Sequence, residues 1–325
     1  MTKTAELYDD RQSVDFYESR YQAGYMDEWP RDQVDKVTES IRAAKLPSHG
    51  TAVDFGCGTG FFTQVLADAL PGWRVIGADI SNSALEKARA RHSSLHFELL
   101  DDLSRLQLRA DFLLSHHVLE HVPNLTITRD QINGLLAPEA AMLHILPCGN
   151  AGSLSHTLCA ARVGGIQRDF QNRFFFEDIG HLRRLTSEEL EALFAPLGFR
   201  AEQQYFTGQF WGMFDYFSRV EPELIPTMTD SAQAVDRKAA RRMRFIGMGL
   251  RFAAAARRLN ARVTNLRNRP GLSLKKRLLL KAGAPLFAAT GWIERFVSRQ
   301  AEREWVQRKT LPSGDQMLIL FRRSA

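Results

Sequence analysis

This sequence has few cysteines, no long apolar run and no apolar segment among its first residues. The 325-residue chain carries three cysteines, Cys57, Cys148 and Cys159, without C-x-x-C spacing. This argues against a disulfide scaffold and indicates a reducing compartment. No uncharged apolar run of about 18 residues occurs, and the first residues lack the apolar core of a secretory signal. We therefore expect a cytoplasmic protein without a membrane-spanning helix.

Charge is the property that is most unevenly distributed. The formal net charge is +6, yet residues 236–309 hold 20 Lys and Arg against 4 Asp and Glu. The remainder of the chain holds 23 basic against 33 acidic residues. An asymmetry of this size indicates a face that meets an anionic partner.

Short apolar runs alternate with helical patterns over much of the chain. The predicted strands are residues 51–56, 73–79, 95–100, 110–115, 140–147, 199–206 and 316–323, and the predicted helices include 60–70, 81–92 and 125–136. This alternation is typical of an α/β fold in which helices cover both faces of a parallel sheet. We predict a Rossmann-like, mostly parallel seven-stranded sheet with a basic helical insertion before its last strand.

The composition predicts that the chain is divided into three segments. Residues 1–48 form an aromatic helical segment, residues 49–210 and 310–325 form the Rossmann-like domain, and residues 211–309 form the basic insertion. The aromatic residues of the first segment are Phe16, Tyr17, Tyr21, Tyr25 and Trp29. We expect the first segment to close a ligand site and the insertion to cover an acceptor pocket.

A glycine-rich loop, VDFGCGTGFF, lies where the first predicted strand gives way to the first helix of the sheet region. Its glycines, Gly56, Gly58 and Gly60, follow a G-x-G-x-G pattern instead of the G-x-G-x-x-G of dinucleotide-binding proteins. Without Cβ atoms the backbone can turn sharply and approach a ligand closely. The N–H groups at the start of the following helix favour the same ligand.

Acidic residues close the next two predicted strands. Asp79 ends the second strand, where its carboxylate is suited to accept both hydroxyl groups of a ribose. Asp101 and Asp102 follow the third strand, where a carboxylate is suited to an adenine amine. Nucleotide-like ligands bind outside the carboxyl ends of such strands, at the point where the strand order reverses.

The D-x-G-x-G-x-G loop, the two acidic positions and an L-E-H-V segment at 119–122 resemble the class I S-adenosylmethionine (SAM)-dependent methyltransferases of the small-molecule type. The resemblance is strong over residues 50–147 and weaker over 180–207 and 315–323. It implies that SAM is the cofactor and that a nicotinamide enzyme, which has a different glycine spacing, is the less suitable interpretation. The residues implied to bind the cofactor are Asp54, Gly56, Cys57, Gly58, Gly60, Asp79, Ile80, Asp101, Asp102 and His116.

His117, Glu120 and His121 have the H-x-x-E-H spacing of one class of metallopeptidase. A catalytic zinc site would need both histidines on a regular helix together with a third protein ligand. Pro123 leaves little room for that helix. The sequence therefore predicts no metal site here.

Histidines near the predicted cofactor are candidates for a general base, because histidine titrates nearest to neutral pH. The candidates are His117, His121 and His181. His116 or His117 is expected near the sulfonium, and His121 is expected either to pack or to face the acceptor. Arg183 is suited to an anionic acceptor group.

The basic insertion has three interpretations that the sequence leaves open. From Phe245, apolar residues recur every three or four positions among arginines, as on one face of a helix. Such helices can pack as a cap on the core or on a second subunit, contact an anionic membrane surface through residues 240–300, or bind nucleic acid. The Pro147-Cys148 pair follows the fifth predicted strand and not the fourth, which argues against a cytosine-modifying nucleophile.

The function predicted from these features is SAM-dependent O-methylation of a small molecule or of a membrane-associated lipid, quinone or glycan acceptor. Two alternatives stay open. One is a methyltransferase for RNA or another nucleic acid, and the other is a non-catalytic nucleotide-binding interaction protein.

Overall fold

A computed structural model describes residues 10–22, 29–103, 105, 108–271 and 273–323. Tyr25, one of the predicted N-terminal aromatic residues, lies outside these ranges. Within the described ranges the chain divides into two compact units. The first unit comprises the residues up to Gly149, Ile179–Tyr205 and those from Gln316 onward, and the second comprises Asn150–Asp178 and Phe206–Asp315. The second unit thus includes residues 150–178 in addition to the predicted basic insertion, whose boundaries stay a prediction.

The described residues contain nine strands, numbered here in chain order. They are β1 Thr51–Phe55, β2 Arg74–Asp79, β3 His96–Leu99, β4 Ala110–His116, β5 Leu136–Pro147, β6 Ile166–Gln167, β7 Arg173–Phe174, β8 Phe199–Thr207 and β9 Gln316–Arg323. Seven of them form one sheet in the order β3-β2-β1-β4-β5-β9-β8. Strands β1 to β5 pair in parallel, and β9 pairs with β5 in the antiparallel direction. The predicted Rossmann-like, mostly parallel seven-stranded sheet is confirmed.

The helices are numbered in the same way. They are α1 Asp10–Gln22, α2 Arg31–Ala43, α3 Phe61–Ala69, α4 Asn82–Arg91, α5 Leu100–Leu103, α6 Leu125–Leu135, α7 Leu154–Ala160, α8 Ser187–Phe194, α9 Trp211–Arg219, α10 Ile225–Met228, α11 Arg237–Arg267, α12 Leu274–Ala282 and α13 Ala284–Arg308. The long helices α11 and α13 belong to the second unit, as the sequence predicted for a helical region before the last strand.

The central strands of the first unit are buried along almost their whole length. In β4, Phe112, Leu113 and Leu114 have no exposed surface. Parallel strands that helices cover on both faces need apolar side chains on both faces. This explains why residues 112–114 are consecutive apolar residues. The strands end at the same edge of the sheet, and this edge carries the glycine loop after β1 and Asp79 at the end of β2.

The second unit has its own apolar core, to which α9, α11 and α13 contribute. Phe217, Met243 and Leu250 are fully buried in it. Arg257 of α11 donates to Asp215 of α9 at 2.6 Å, and both side chains are about nine-tenths buried. A buried charge is tolerated when it is paired in this way.

Helix α11 has apolar residues on two faces. The face that enters the core includes Met243, Ile246 and Leu250. Of the face predicted from the periodicity, Phe245, Met248 and Phe252 are exposed, whereas Val263 further along the helix is buried. Among the described residues, no helix combines the length and the apolar character needed to cross a membrane.

Candidate functional site

The glycine loop between β1 and α3 depends on the absence of side chains. Gly56, Gly58 and Gly60 have φ angles of 78°, 54° and 82°, in the left-handed region that favours glycine. A Cβ atom at Gly58 would lie 2.7 Å from the hydroxyl oxygen of Tyr21. The loop is therefore a cradle that any side chain at residue 58 would fill. The bare backbone allows a ligand to approach closely.

Asp54 lies at the end of β1 and is buried beneath this loop. It accepts a hydrogen bond from the hydroxyl of Thr63 on α3 at 2.7 Å. Burial raises the pKa of Asp54 to about 7, against the opposing effect of the Thr63 bond. The contact joins the strand to the helix behind the loop.

Asp79 joins the end of β2 to the glycine loop. One carboxylate oxygen accepts from the backbone N–H of Gly58 at 2.8 Å, and the other accepts from the N–H of Ser81 at 2.9 Å. The side chain is buried, and burial raises its pKa above the ordinary value for aspartate. The predicted neighbourhood of Asp79 and the G-x-G-x-G turn is thus present.

Among the described residues of the first unit, a larger and a smaller cavity lie at this edge of the sheet. The larger, about 270 Å³, is lined by residues at the ends of β2 and β3, including Asp79, Ile80, Leu99 and Asp101. The smaller, about 70 Å³, is lined by the glycine loop and aromatic side chains. Both cavities are lined by Tyr17, Tyr21, Gly56, His117 and His121. They are therefore neighbouring parts of one cleft, which suits an elongated nucleoside with a charged tail.

The cleft brings together most of the residues predicted to bind the cofactor. Those that line one or both cavities are Asp54, Gly56, Cys57, Gly58, Asp79, Ile80, Asp101 and His116. Gly60 directly precedes α3, and Asp102 pairs with Arg105 at 2.8 Å. Of the two acidic candidates after β3, Asp101 is thus the one that faces the cleft.

His116 and Cys57 are buried in the cleft wall. The His116 ring stacks on Phe62 with centroids 3.8 Å apart and meets the edge of Trp29 at 4.6 Å. Burial lowers the pKa of His116 well below the ordinary value, so the ring is neutral at pH 7. Burial also raises the pKa of the Cys57 thiol, which makes it a poor nucleophile.

His117 follows β4 in a turn, with a φ angle of 55°. Its Nδ1 lies 2.7 Å from Oε1 of Glu120, and its Nε2 lies 2.7 Å from the side-chain nitrogen of Gln316. Since the Gln316 amide donates, the imidazole proton is on Nδ1 and is donated to Glu120. Both ring nitrogens of this candidate base are therefore engaged by the protein.

Glu120 is fully buried beside three histidines. Burial by itself raises the pKa of a carboxyl, but His117 and His121 outweigh it and hold the pKa of Glu120 at about 2. Burial lowers the pKa of His121 to about 4. At neutral pH Glu120 is thus ionised, and the imidazole of His121 beside it is neutral.

Arg183 and His181 lie on the chain that approaches this turn. The Arg183 guanidinium donates to the backbone carbonyls of Val122 and Pro123 and is largely buried. These bonds hold the Arg183 guanidinium at the turn. This position does not agree with the predicted role of Arg183, which was to bind an anionic acceptor. The ring of His181 meets that of His121 with centroids 4.7 Å apart.

The sequence predicted that the aromatic first segment closes a ligand site, but it singled out no residue of that segment and gave no role to Glu120 or Gln316. Tyr17 and Tyr21 line both cavities, and their spacing of four on α1 was a signal that they share a face. Glu120 was noted only as part of a motif, and Gln316 was not noted. The contact of Gln316 with His117 spans 199 positions, so no local pattern reveals it.

The fold and the glycine cradle define the class of SAM-dependent methyltransferases with a class I sheet. In agreement, residues 26–204 match the family described as "Methyltransferase domain". The chain belongs to this family, and the resemblance found in the sequence is confirmed.

Two trans-aconitate 2-methyltransferases are similar in sequence. The protein from Methylobacterium radiotolerans is 34% identical over 126 residues, which are 38% of this chain and 48% of that protein. The protein from Variovorax paradoxus is 30% identical over 162 residues, which are 49% of this chain and 58% of that protein. The chain thus spans about half the length of the curated relatives that it matches.

Among solved structures, magnesium protoporphyrin IX methyltransferase from Synechocystis is similar with a TM-score of 0.44 and 20% identity. The similarity covers 60% of this chain and 92% of that chain.

Proposed function

We propose that this protein transfers the methyl group of SAM to an oxygen of a small-molecule acceptor. The observation that carries the proposal is the contact of Asp79 with the N–H of Gly58, because it joins the expected ribose and methionine subsites in one cleft. The adjoining cavities of about 270 and 70 Å³ support the same arrangement.

Each part of the cleft has a task in this proposal. Asp79 and Ile80 hold the ribose, Asp101 contacts the adenine, and the backbone at Gly56 and Gly58 faces the methionine part. Bound SAM supplies an activated methyl group. The protein then needs to hold an acceptor oxygen about 3 Å from that methyl group, in line with the breaking bond, and to exclude water.

An oxygen acceptor is favoured by the histidines at the cleft and by the relatives. A hydroxyl acceptor must lose its proton, and His117, His121 and His181 are the candidate bases. His117 is the least available of the three, since Glu120 and Gln316 engage its nitrogens. The relatives are named for trans-aconitate, a carboxylic acid, which offers oxygen acceptors. A carboxylate acceptor needs no base, because it has already lost its proton.

Methyl transfer is tested by incubating the purified protein with SAM and a panel of carboxylic acids, phenols and amines. We expect S-adenosylhomocysteine to form together with an acceptor that gains one methyl group on oxygen. The Asp79→Ala variant is the control, because at a SAM concentration that does not saturate it, its turnover should fall with every acceptor. Cofactor binding without turnover on any acceptor would instead favour the non-catalytic alternative. Salt-sensitive RNA binding with methylation of RNA alone would favour the nucleic-acid alternative.

We propose as a second function that the second unit contacts an anionic membrane surface. On α11, Phe245, Met248 and Phe252 are 76%, 60% and 62% exposed and recur at helical spacing. Residues 236–309 supply 20 basic side chains to the same region. Exposed aromatic and apolar side chains among arginines are typical of helices that lie at a lipid interface.

Sedimentation with vesicles tests this contact. We expect the protein to sediment with phosphatidylglycerol vesicles and not with phosphatidylcholine vesicles at the same salt concentration. Replacing Phe245, Met248 and Phe252 by serine should lower partitioning on the order of tenfold or more, because three apolar side chains no longer enter the lipid. Val163→Ser is the matched control, since Val163 is 65% exposed in the same unit but lies outside the basic helices. Failure of the unmodified protein to sediment with anionic vesicles would contradict the proposal.

A further inference from the structure

The turn after β4 brings together three side chains that are able to bind a metal ion. Glu120, His121 and His181 each offer one ligand atom, and these atoms all lie within 4.8 Å of one another. Residues 117–121 form a turn and not a regular helix, so the arrangement differs from the H-x-x-E-H site that the spacing suggested. The third ligand that such a site needs comes from residue 181, outside the motif.

Glu120 supplies the strongest evidence that a cation belongs here. Its side chain is fully buried, and Oε2 has no hydrogen-bond partner among the residues that the structure describes. Its Oε1 accepts from His117 Nδ1 at 2.7 Å. A buried carboxylate oxygen without a partner is costly, because burial removes its hydration and nothing replaces it. A cation beside Oε2 removes that cost.

His121 is oriented as a metal-binding histidine. Its Nδ1 donates to the backbone carbonyl of Gly180 at 3.0 Å, which leaves the lone pair on Nε2. This Nε2 lies 3.8 Å from Glu120 Oε1, so two hydrogen-bond acceptors face each other. An Nδ1–H bond to a carbonyl is the common way in which proteins fix the ring of a metal-binding histidine.

His117 holds the Glu120 carboxylate in place through a hydrogen bond. It donates to Glu120 through Nδ1 while Gln316 engages its Nε2. Metal-binding carboxylates are commonly held by hydrogen bonds of this kind, which fix the direction of the remaining oxygen. His117 is therefore a positioning residue for Glu120.

We propose that Glu120, His121 and His181 bind a divalent transition-metal ion at the wall of the cleft. Two imidazoles and one carboxylate suit Zn²⁺, Co²⁺ or Fe²⁺, whereas Mg²⁺ and Ca²⁺ prefer oxygen ligands. Three protein ligands leave at least one coordination position open. Of the three ligands, His121 lines both cavities, so the site adjoins the cleft.

Such an ion would also have a role in methyl transfer, and that role rests on the proposed function. An ion held by Glu120, His121 and His181 would act as a Lewis acid on a hydroxyl or carboxylate oxygen of the acceptor and would favour its ionised form. The proton of a hydroxyl acceptor would pass to solvent before methyl transfer. The binding of the ion itself does not depend on the acceptor.

The test is a titration of the metal-stripped full-length protein with Co²⁺, in the absence of SAM and of any acceptor. Bound Co²⁺ absorbs visible light according to its coordination, and Zn²⁺ added afterwards should displace it. We expect one ion per chain. Removal of a ligand in Glu120→Gln or His181→Ala should weaken binding by on the order of 100-fold, at least as much as loss of a supporting contact does.

Two controls make the outcome decisive. His96→Ala removes an exposed histidine on β3 and should bind Co²⁺ as the unmodified protein does. His181 is only half-buried, so His181→Ala should remain folded even if Glu120→Gln does not, and retained SAM binding checks this. Absence of Co²⁺ binding, or equal affinity in the unmodified protein and His181→Ala, would overturn the proposal. Because SAM is titrated separately, a metal-binding result and a failure of the methyltransferase proposal are distinguishable.

Discussion

Asp79→Ala is expected to weaken SAM binding by roughly 100-fold, as measured by isothermal titration. The substitution removes the carboxylate that we assign to the ribose hydroxyls and also its bond to the N–H of Gly58. A hydrogen bond to a charged group contributes about 1.5–3 kcal/mol, and a loss near 3 kcal/mol corresponds to roughly 100-fold in affinity.

The matched control for this variant is Asp102→Ala. Asp102 is also an acidic residue near the carboxyl end of a sheet strand, in α5 after β3, but its side chain is 40% exposed and pairs with Arg105. A surface ion pair contributes at most about 1 kcal/mol, so SAM affinity and stability should hardly change. Equal SAM affinity in Asp79→Ala and the unmodified protein would show that the ribose is not bound here.

Gly58→Val is expected to abolish measurable SAM binding, with a loss of more than roughly 100-fold. A valine Cβ at this position would meet the Tyr21 hydroxyl at 2.7 Å, and the φ angle of 54° is one that β-branched residues rarely adopt. Strain of this kind costs on the order of 1–3 kcal/mol, and either the loop or the Tyr21 side chain must shift to relieve the contact. Either shift changes the cavity wall to which the methionine part is assigned, because Gly58 and Tyr21 both line it.

Gly164→Val separates backbone strain from damage to the cleft. Gly164 has a φ angle of 65° and no atom within 4 Å of a Cβ built on it, so the variant carries similar strain without a clash. We expect both variants to have a lower melting temperature, and only Gly58→Val to lose SAM binding. Normal SAM affinity in Gly58→Val would contradict the role given to the glycine loop.

The sheet was predictable because its central strands are apolar on both faces, and because β1 is followed by Gly56 and β2 ends in Asp79. Strand β1, predicted at 51–56, spans Thr51–Phe55, and β2, predicted at 73–79, spans Arg74–Asp79. Strand β5 was predicted at 140–147 but begins at Leu136. Its first residues include Pro138 and Glu139, which are exposed and break the apolar pattern.

The cofactor cleft was predictable for a different reason. The glycines and Asp79 lie at the ends of neighbouring strands, and parallel strands carry their ends to one edge. The histidine cluster does not follow from such a rule. The positions of Gln316 and His181 relative to Glu120 depend on how distant parts of the chain fold back on the sheet.

Helix α11 shows the limit of periodicity as a guide to burial. Its sequence has apolar residues at helical spacing on two faces, and either face satisfies the same pattern. The core takes the face that contains Met243 and Leu250 and leaves Phe245 and Phe252 exposed. Which face is covered depends on the shape of α9 and α13, and no property of α11 alone determines it.

The central claim is that the cleft beside the glycine loop binds SAM, and the direct measurement is a calorimetric titration of the unmodified protein with SAM and with S-adenosylhomocysteine. We predict saturable binding of one ligand per chain, accompanied by a higher melting temperature, since a ligand that binds only the folded state stabilises it. No heat and no change in melting temperature with either ligand would contradict the account.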